Sequence, residues 1–132
     1  MDSAEYQQLA MRTAKDMGSF KMNLIHAAMG MSSDSGEFVD CIKKFAIYGK
    51  DLDYTNALEE IGDVMWFCVL AATTLGYSLG QIMLANVTKL AKRYPDKYSD
   101  EAAIARADKQ VDARFNAIAS LELKGPYEPD GV

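Results

Sequence analysis

Apolar residues recur along this chain at intervals of three and four, in five stretches parted by glycine, proline and short polar turns. That period belongs to amphipathic helices, and no segment alternates with period two for long enough to read as a strand. The first stretch runs from Ser3, a residue suited to an N-cap, to Met17, and Gly18 ends it. The second covers Phe20 to Tyr48 and ends at Gly49; its apolar stripe is Leu24, Ala28, Met31, Ser35, Phe38, Ile42 and Phe45. Gly30 and Gly36 are poor helix residues within it and predict a kink or a close helix contact there. After the turn KDLDY a third helix starts at Tyr54 or Thr55, with the stripe Leu58, Ile61, Met65, Cys68, Ala72 and Leu75, and Gly76 closes it. Ser78 caps a fourth, Leu79 to Arg93, which Pro95 stops. A fifth is predicted from Ser99 to Ser120, with Ile104, Val111, Phe115 and Ile118 facing inward. The expected fold is therefore all-α: a bundle of four to five helices forming one domain over residues 1–120, with an irregular tail over 121–132.

Composition narrows the class. An apolar share of 49% and a charged share of 25% are those of an ordinary globular domain. No apolar run approaches the ~20 residues that span a bilayer, and MDSAEYQQLA lacks the basic-then-apolar order of a signal peptide, so a cytoplasmic location is expected. A net charge of −5 disfavours non-specific attachment to nucleic acid or anionic lipid. Two cysteines, Cys41 and Cys68, have no zinc-ligand spacing and read as buried reduced thiols. Helices two to four carry Met22, Met29, Met83 and several alanines off their main stripes. A chain this small struggles to bury all of that alone, so a homodimer or homotetramer is expected.

The chemistry lies in two acidic pairs. Asp34 and Glu37 are three apart on the second helix, and Glu60 and Asp63 are three apart on the third. Residues at i and i+3 share a helix face, so antiparallel neighbours joined by a short turn would offer four carboxylates to one place. Such a cluster against a core repels itself unless a cation neutralises it. Oxygen-only donors suit a hard ion, so Mg2+ is expected, with Mn2+ as the alternative. A calcium loop with carbonyl ligands is absent. A di-iron carboxylate bundle needs two Glu-x-x-His motifs, and the one histidine, His26, follows no such glutamate. The competing reading of each pair is a solvated helix face, which Glu59 beside Glu60 supports. On the fourth helix Asn86, Lys89 and Arg93 fall on one face, where they would meet phosphates or simply complement the helix dipole. Lys43 and Lys44 are further cations of the second helix. His26 and Asn23 lie on the side of Asp34 away from the turn; His26, about 12 Å away at 1.5 Å per residue, is placed either to meet a base or to serve the core. Trp66, with Phe67 behind the second pair, has the same two readings.

At these residues the sequence resembles the MazG-like, all-α nucleotide pyrophosphohydrolases. The stretches that carry the resemblance are HAAMGMSSDSGEFVDCIKK, EEIGDVMWFCVLAATTLG and NVTKLAKRYPDKY, in that order. The family pattern Glu-x-x-Glu, spacer, Glu-x-x-Asp is represented by Asp34-x-x-Glu37, a spacer of 22 residues, and Glu60-x-x-Asp63. Asp34 departs from the pattern and is shorter by a methylene. The resemblance implies Mg2+-dependent hydrolysis of a ribo- or deoxynucleoside triphosphate to the monophosphate and pyrophosphate, trimming a nucleotide pool in a bacterial cell or, for a phage protein, its host. It implies metal ligation by Asp34, Glu37, Glu60 and Asp63, with Glu37 or Asp34 taking the proton of the attacking water. It further implies phosphate contacts from Lys89, Arg93 and Asn86. The alternatives are phosphoribosyl-ATP pyrophosphohydrolase activity and a helical interaction module that kept the fold without catalysis.

Overall fold

Side-chain caps set the helix starts. In the computed structural model, which describes residues 1–109, Asp2 caps α1 (Ser3–Met11) in place of the expected Ser3. Its carboxylate accepts the amides of Ala4 and Glu5, both at 2.9 Å. The helix ends well before the expected Met17, and part of the reason lies in another helix. The carbonyl of Ala10 accepts the Thr13 amide at 3.1 Å, the Thr13 hydroxyl at 2.8 Å and the indole N–H of Trp66 at 3.0 Å, so backbone and side chains together close its last turn. The same indole N–H also reaches Thr13 Oγ1 at 3.0 Å. Replacing Trp66 with phenylalanine removes this donor, and we expect a loss of about 1 kcal/mol, read as a lower urea midpoint followed by far-UV circular dichroism.

Ser19 caps α2 (Phe20–Ala46), and Asp53 plays that part for α3 (Tyr54–Thr74) by accepting the Asn56 amide at 3.0 Å. The turn between them passes through Gly49 at φ 63°, the left-handed region glycine enters without steric penalty. These two helices form the main packed pair, and α1 lies on α3. Helix α2 is continuous through Gly30 and Gly36. Of the two outcomes the glycines allow, close contact is the one seen: a Cβ on Gly30 would overlap the Phe67 ring, whereas Gly36 faces open space.

The buried line differs from the expected one. Ala27 and Cys41 on α2, and Ala57, Glu60, Val69, Leu70 and Ala72 on α3, are buried, together with Ala10 on α1. By contrast Leu58, Ile61, Met65 and Leu75 are exposed, as are Ala28, Ser35 and Phe45. Over Ala57–Glu60 the buried line is the expected stripe moved by one residue, about 100° around a helix of 3.6 residues per turn. Further along α3 the shift is not uniform: Val69 is buried beside the exposed Cys68, and Ala72 of the expected stripe is buried. Cys41 is a buried thiol as expected, donating to the Asp53 carbonyl at 3.5 Å. Cys68 is instead exposed, its sulfur 3.5 Å from that of Met31, while its neighbour Val69 takes the buried position.

Contacts divide the chain into a unit over Met1–Thr74 and a second beginning at Leu75, where the periodicity predicts one domain. In the second, α4 (Leu79–Arg93) starts on a reciprocal capping box between Ser78 and Gln81. Arg93 and the buried Asp108 form a two-point ion pair at 2.6 and 2.7 Å. This pair holds the Asp108 carboxyl at about 2, below its ordinary 3.8. The fifth helix, α5 (Asp100–Ala105), is far shorter than expected: Arg106 turns left-handed at φ 47°, and a 3-10 turn, Ala107–Lys109, brings Asp108 back to Arg93. Ile104, expected to face inward, is exposed. Val111, Phe115, Ile118 and the tail lie outside the described residues. Among the described residues no single helix is long and apolar enough to cross a membrane.

Candidate active site in the seam of the helical hairpin

The two acidic pairs meet across the α2–α3 seam. Asp34 and Glu37 come from α2 and Glu60 and Asp63 from α3, each pair one turn apart. Glu60 stands in the buried line itself, 8% exposed, while Asp34 is half-buried and Glu37 and Asp63 are exposed. Burial first, then the charges of Glu37, Asp34, Asp63 and Glu59 in that order, push the Glu60 carboxyl above its ordinary value. The order records which neighbours weigh most: the α2 pair acts on Glu60 ahead of its own helix mates. Both pairs therefore lie within electrostatic reach of Glu60.

Among the described residues none of the four carboxylates has a lysine or arginine within ion-pair distance. The nearby cations Lys43 and Lys44 are instead paired with Asp40, at 3.2 and 2.8 Å. Asp40 is held below the usual carboxylate range by Lys44 and then Lys43. A buried carboxylate among three others, with no side-chain cation to balance it, fits a divalent ion with oxygen ligands. The side chains are not gathered around a single point: among the described residues no three of His, Cys, Asp or Glu are close enough to hold an ion as they stand.

Towards the α2 N-terminus the seam becomes aromatic. The His26 ring meets the Phe67 ring edge-on, centroids 5.5 Å apart, and Phe67 meets Trp66 at 4.9 Å and 87°. His26 Nδ1 is buried and has no hydrogen-bond partner among the described residues. Trp66 spends its N–H on α1, and Asn23 binds the loop before α2, accepting the Met17 amide at 2.8 Å and donating to Asp16 at 3.2 Å. Of the residues expected at the base end, His26 therefore keeps an unpaired nitrogen, while Trp66 and Asn23 act in the packing of α1 and its loop. Phe67 is the residue that sequence reasoning left in the background. Its signal was Gly30, a glycine inside a helix where a ring needs room.

In the second unit Asn86 and Lys89 are exposed on α4, and Lys89 makes no ion pair among the described residues. Arg93, expected to hold phosphate, is half-buried and engaged by Asp108 through Nε and Nη2.

Comparison with known proteins bears on this arrangement. Residues 26–98, more than half of the chain, match the family model described as MazG nucleotide pyrophosphohydrolase domain. The match spans both acidic pairs and the α4 residues. No curated protein and no solved structure matches the chain.

Proposed function

The chain belongs to the MazG nucleotide pyrophosphohydrolase domain family, and on that premise we propose that it hydrolyses a ribo- or deoxynucleoside triphosphate to the monophosphate and pyrophosphate. The observation that carries this reading is Glu60, a buried carboxylate with Asp34 and Glu37 across the seam and Asp63 one turn along its own helix, and with no side-chain cation in ion-pair distance among the described residues. Asp34, Glu37, Glu60 and Asp63 would hold Mg2+, or Mn2+, which when bound supplies polarisation of phosphate oxygens and of a water molecule.

The chain's own residues divide the remaining work. Glu60, fixed in the buried line, would be a ligand of the ion. Glu37 and Asp34, nearer solvent, can take the proton as a water oxygen bonds to the α-phosphorus and the bond to the bridging oxygen breaks. Pyrophosphate carries away the electron pair. His26 and the Phe67 edge lie on the nucleoside side of the carboxylates. In the second unit Asn86 and Lys89 stand in the stretch NVTKLAKRYPDKY that carries the resemblance, and Arg93 there is bound to Asp108.

The test is pyrophosphate release from a panel of ribo- and deoxynucleoside triphosphates with Mg2+ or Mn2+, beside a Glu60→Gln control. Turnover of one nucleotide to its monophosphate, lost in the control, supports the reading. No turnover by the wild-type chain across the panel would overturn it.

The reading includes a second copy of the chain. Leu58 (68% exposed), Ile61, Met65, Cys68 and Leu75 are exposed along one side of α3, interrupted by the buried Ala72 and with no charged residue among them, and Met31 of α2 adjoins at Cys68. A face of that length left in water is unfavourable at about 25 cal/mol per Å2. A Met65→Glu variant is expected to sediment as a monomer of 14.6 kDa while the wild type sediments as a dimer or tetramer. Equal mass for both proteins would remove this part of the reading.

A further inference from the structure

One turn from the carboxylates, towards the α2–α3 turn, lies a cavity of about 330 Å3 with a wall of mixed polar and apolar character, lined by Cys41, Lys44, Lys50, Asp51, Asp53 and Asn56. Cys41 follows Glu37 by four residues on α2, and Asn56 precedes Glu60 by four on α3. The cavity is thus the next layer of the same seam, about 6 Å along each helix axis. Helix periodicity keeps these positions on the face that carries the acidic pairs.

Its charges are unevenly committed. Lys44 is paired with Asp40 at 2.8 Å, and the Asp53 carboxylate accepts the Asn56 amide. The Lys50 backbone is fixed, its amide donating to the Lys44 carbonyl at 3.2 Å just beyond Gly49. Its ammonium makes no ion pair among the described residues. Lys50 is therefore the cation of this layer available to an incoming anion, and Asp51 is the group that opposes it.

The seam as a whole has a direction: aromatic at His26 and Phe67, acidic at the centre, and lysine-bearing at the turn. A nucleoside triphosphate has the matching order of base, reacting phosphorus and terminal phosphates. The offset of one turn is comparable to the reach from the first phosphorus to the third. We propose that Lys50 holds the departing pyrophosphate end of the substrate in the turn cavity, with the Asn56 side chain as a further donor and Asp51 limiting how tightly that product stays. This rests on the hydrolase reading for the substrate. The cavity's affinity for pyrophosphate is measurable without turnover.

Calorimetric titration of the full chain with inorganic pyrophosphate in Mg2+ is the experiment, on wild type, Lys50→Gln and Asp51→Asn. Removing the lysine leaves Asp51 and Asp53 facing an already paired Lys44, so affinity should fall at least tenfold. Removing Asp51 should raise affinity severalfold, and opposite signs at adjacent positions cannot come from a general loss of folding. Affinity unchanged in both variants, or no binding to wild type, would overturn the assignment. Lys50-dependent binding without hydrolysis of any triphosphate would leave the cavity standing and bring down the hydrolase reading instead. In the active enzyme Lys50→Gln should also relieve product inhibition by pyrophosphate and leave inhibition by the monophosphate unchanged.

Discussion

A Glu60→Gln variant will lose Mg2+ binding and turnover, yet its metal-free form will be at least as stable as wild type at neutral pH. Both effects follow from one placement. Burial and four neighbouring carboxylates raise the Glu60 carboxyl above its ordinary 4.5, so the folded metal-free chain binds this proton more tightly than the unfolded chain does. Stability from that difference is fully present below 4.5 and is lost as pH rises through the raised folded value. The wild-type protein in EDTA should therefore melt at a lower temperature at pH 8 than at pH 5, and the glutamine variant should show a weaker decline. On the proposed function, Mg2+ should reverse the picture in wild type. A ligand at 100 times its dissociation constant adds about 2.7 kcal/mol, and the melting temperature should rise accordingly. On that reading, loss of a carboxylate ligand should weaken the ion by at least the roughly 10–100-fold that loss of a supporting partner costs, so the variant should show a much smaller rise at the same Mg2+ concentration. Differential scanning calorimetry at two pH values, with and without Mg2+, reads all of this. A variant that melted earlier than wild type in EDTA at pH 8 would show that Glu60 is a packing residue and not an uncompensated charge.

The second large effect is at Gly30, where alanine should destabilise and the same change at Gly36 should do the reverse. A Cβ at Gly30 would overlap the Phe67 ring, and that ring also meets His26 and Trp66. The ring has to move or the helices have to part, and overpacking of this kind costs about 1–3 kcal/mol. Gly36 has nothing within 4 Å of its would-be Cβ. Alanine there should add about 0.5–1 kcal/mol through helix propensity alone. Urea midpoints of the two variants should therefore move in opposite directions. A Gly30→Ala/Phe67→Leu double variant should recover part of the loss, because the smaller side chain gives the methyl room. Equal midpoints for Gly30→Ala and Gly36→Ala would mean that the Phe67 contact does not position α3.

How much of this was legible beforehand differs from residue to residue. The all-α class, the boundaries of α2, α3 and α4, and the Ser78 cap followed from local rules: three-and-four periodicity, Gly49 and Gly76 as stops, Pro95 after α4. The two acidic pairs were visible because their spacing of three is a property of one helix. The early end of α1 was not visible, since it depends in part on an indole that arrives from 56 residues away. The break at Arg106 was hidden for the same reason, because Asp108 turns back to an arginine 15 residues earlier. The expected stripes on α2 and α3 were real apolar lines, but periodicity fixes only the relative angles of residues on one helix.

By itself, then, the sequence determined which residues form helices, where most of them stop, and that four carboxylates sit in pairs on two of them. Those are short-range matters of backbone hydrogen bonding, capping and steric freedom, decided within a few residues. Only the tertiary structure decided how each helix is rotated about its own axis. With Phe67 packed on Gly30, Glu60 lies in the buried line and Leu58, Ile61 and Met65 lie outside it. A rotation of one residue, about 100°, separates a buried carboxylate from a solvated one. What selects it is the packing of two surfaces distant in the chain, which no local pattern encodes.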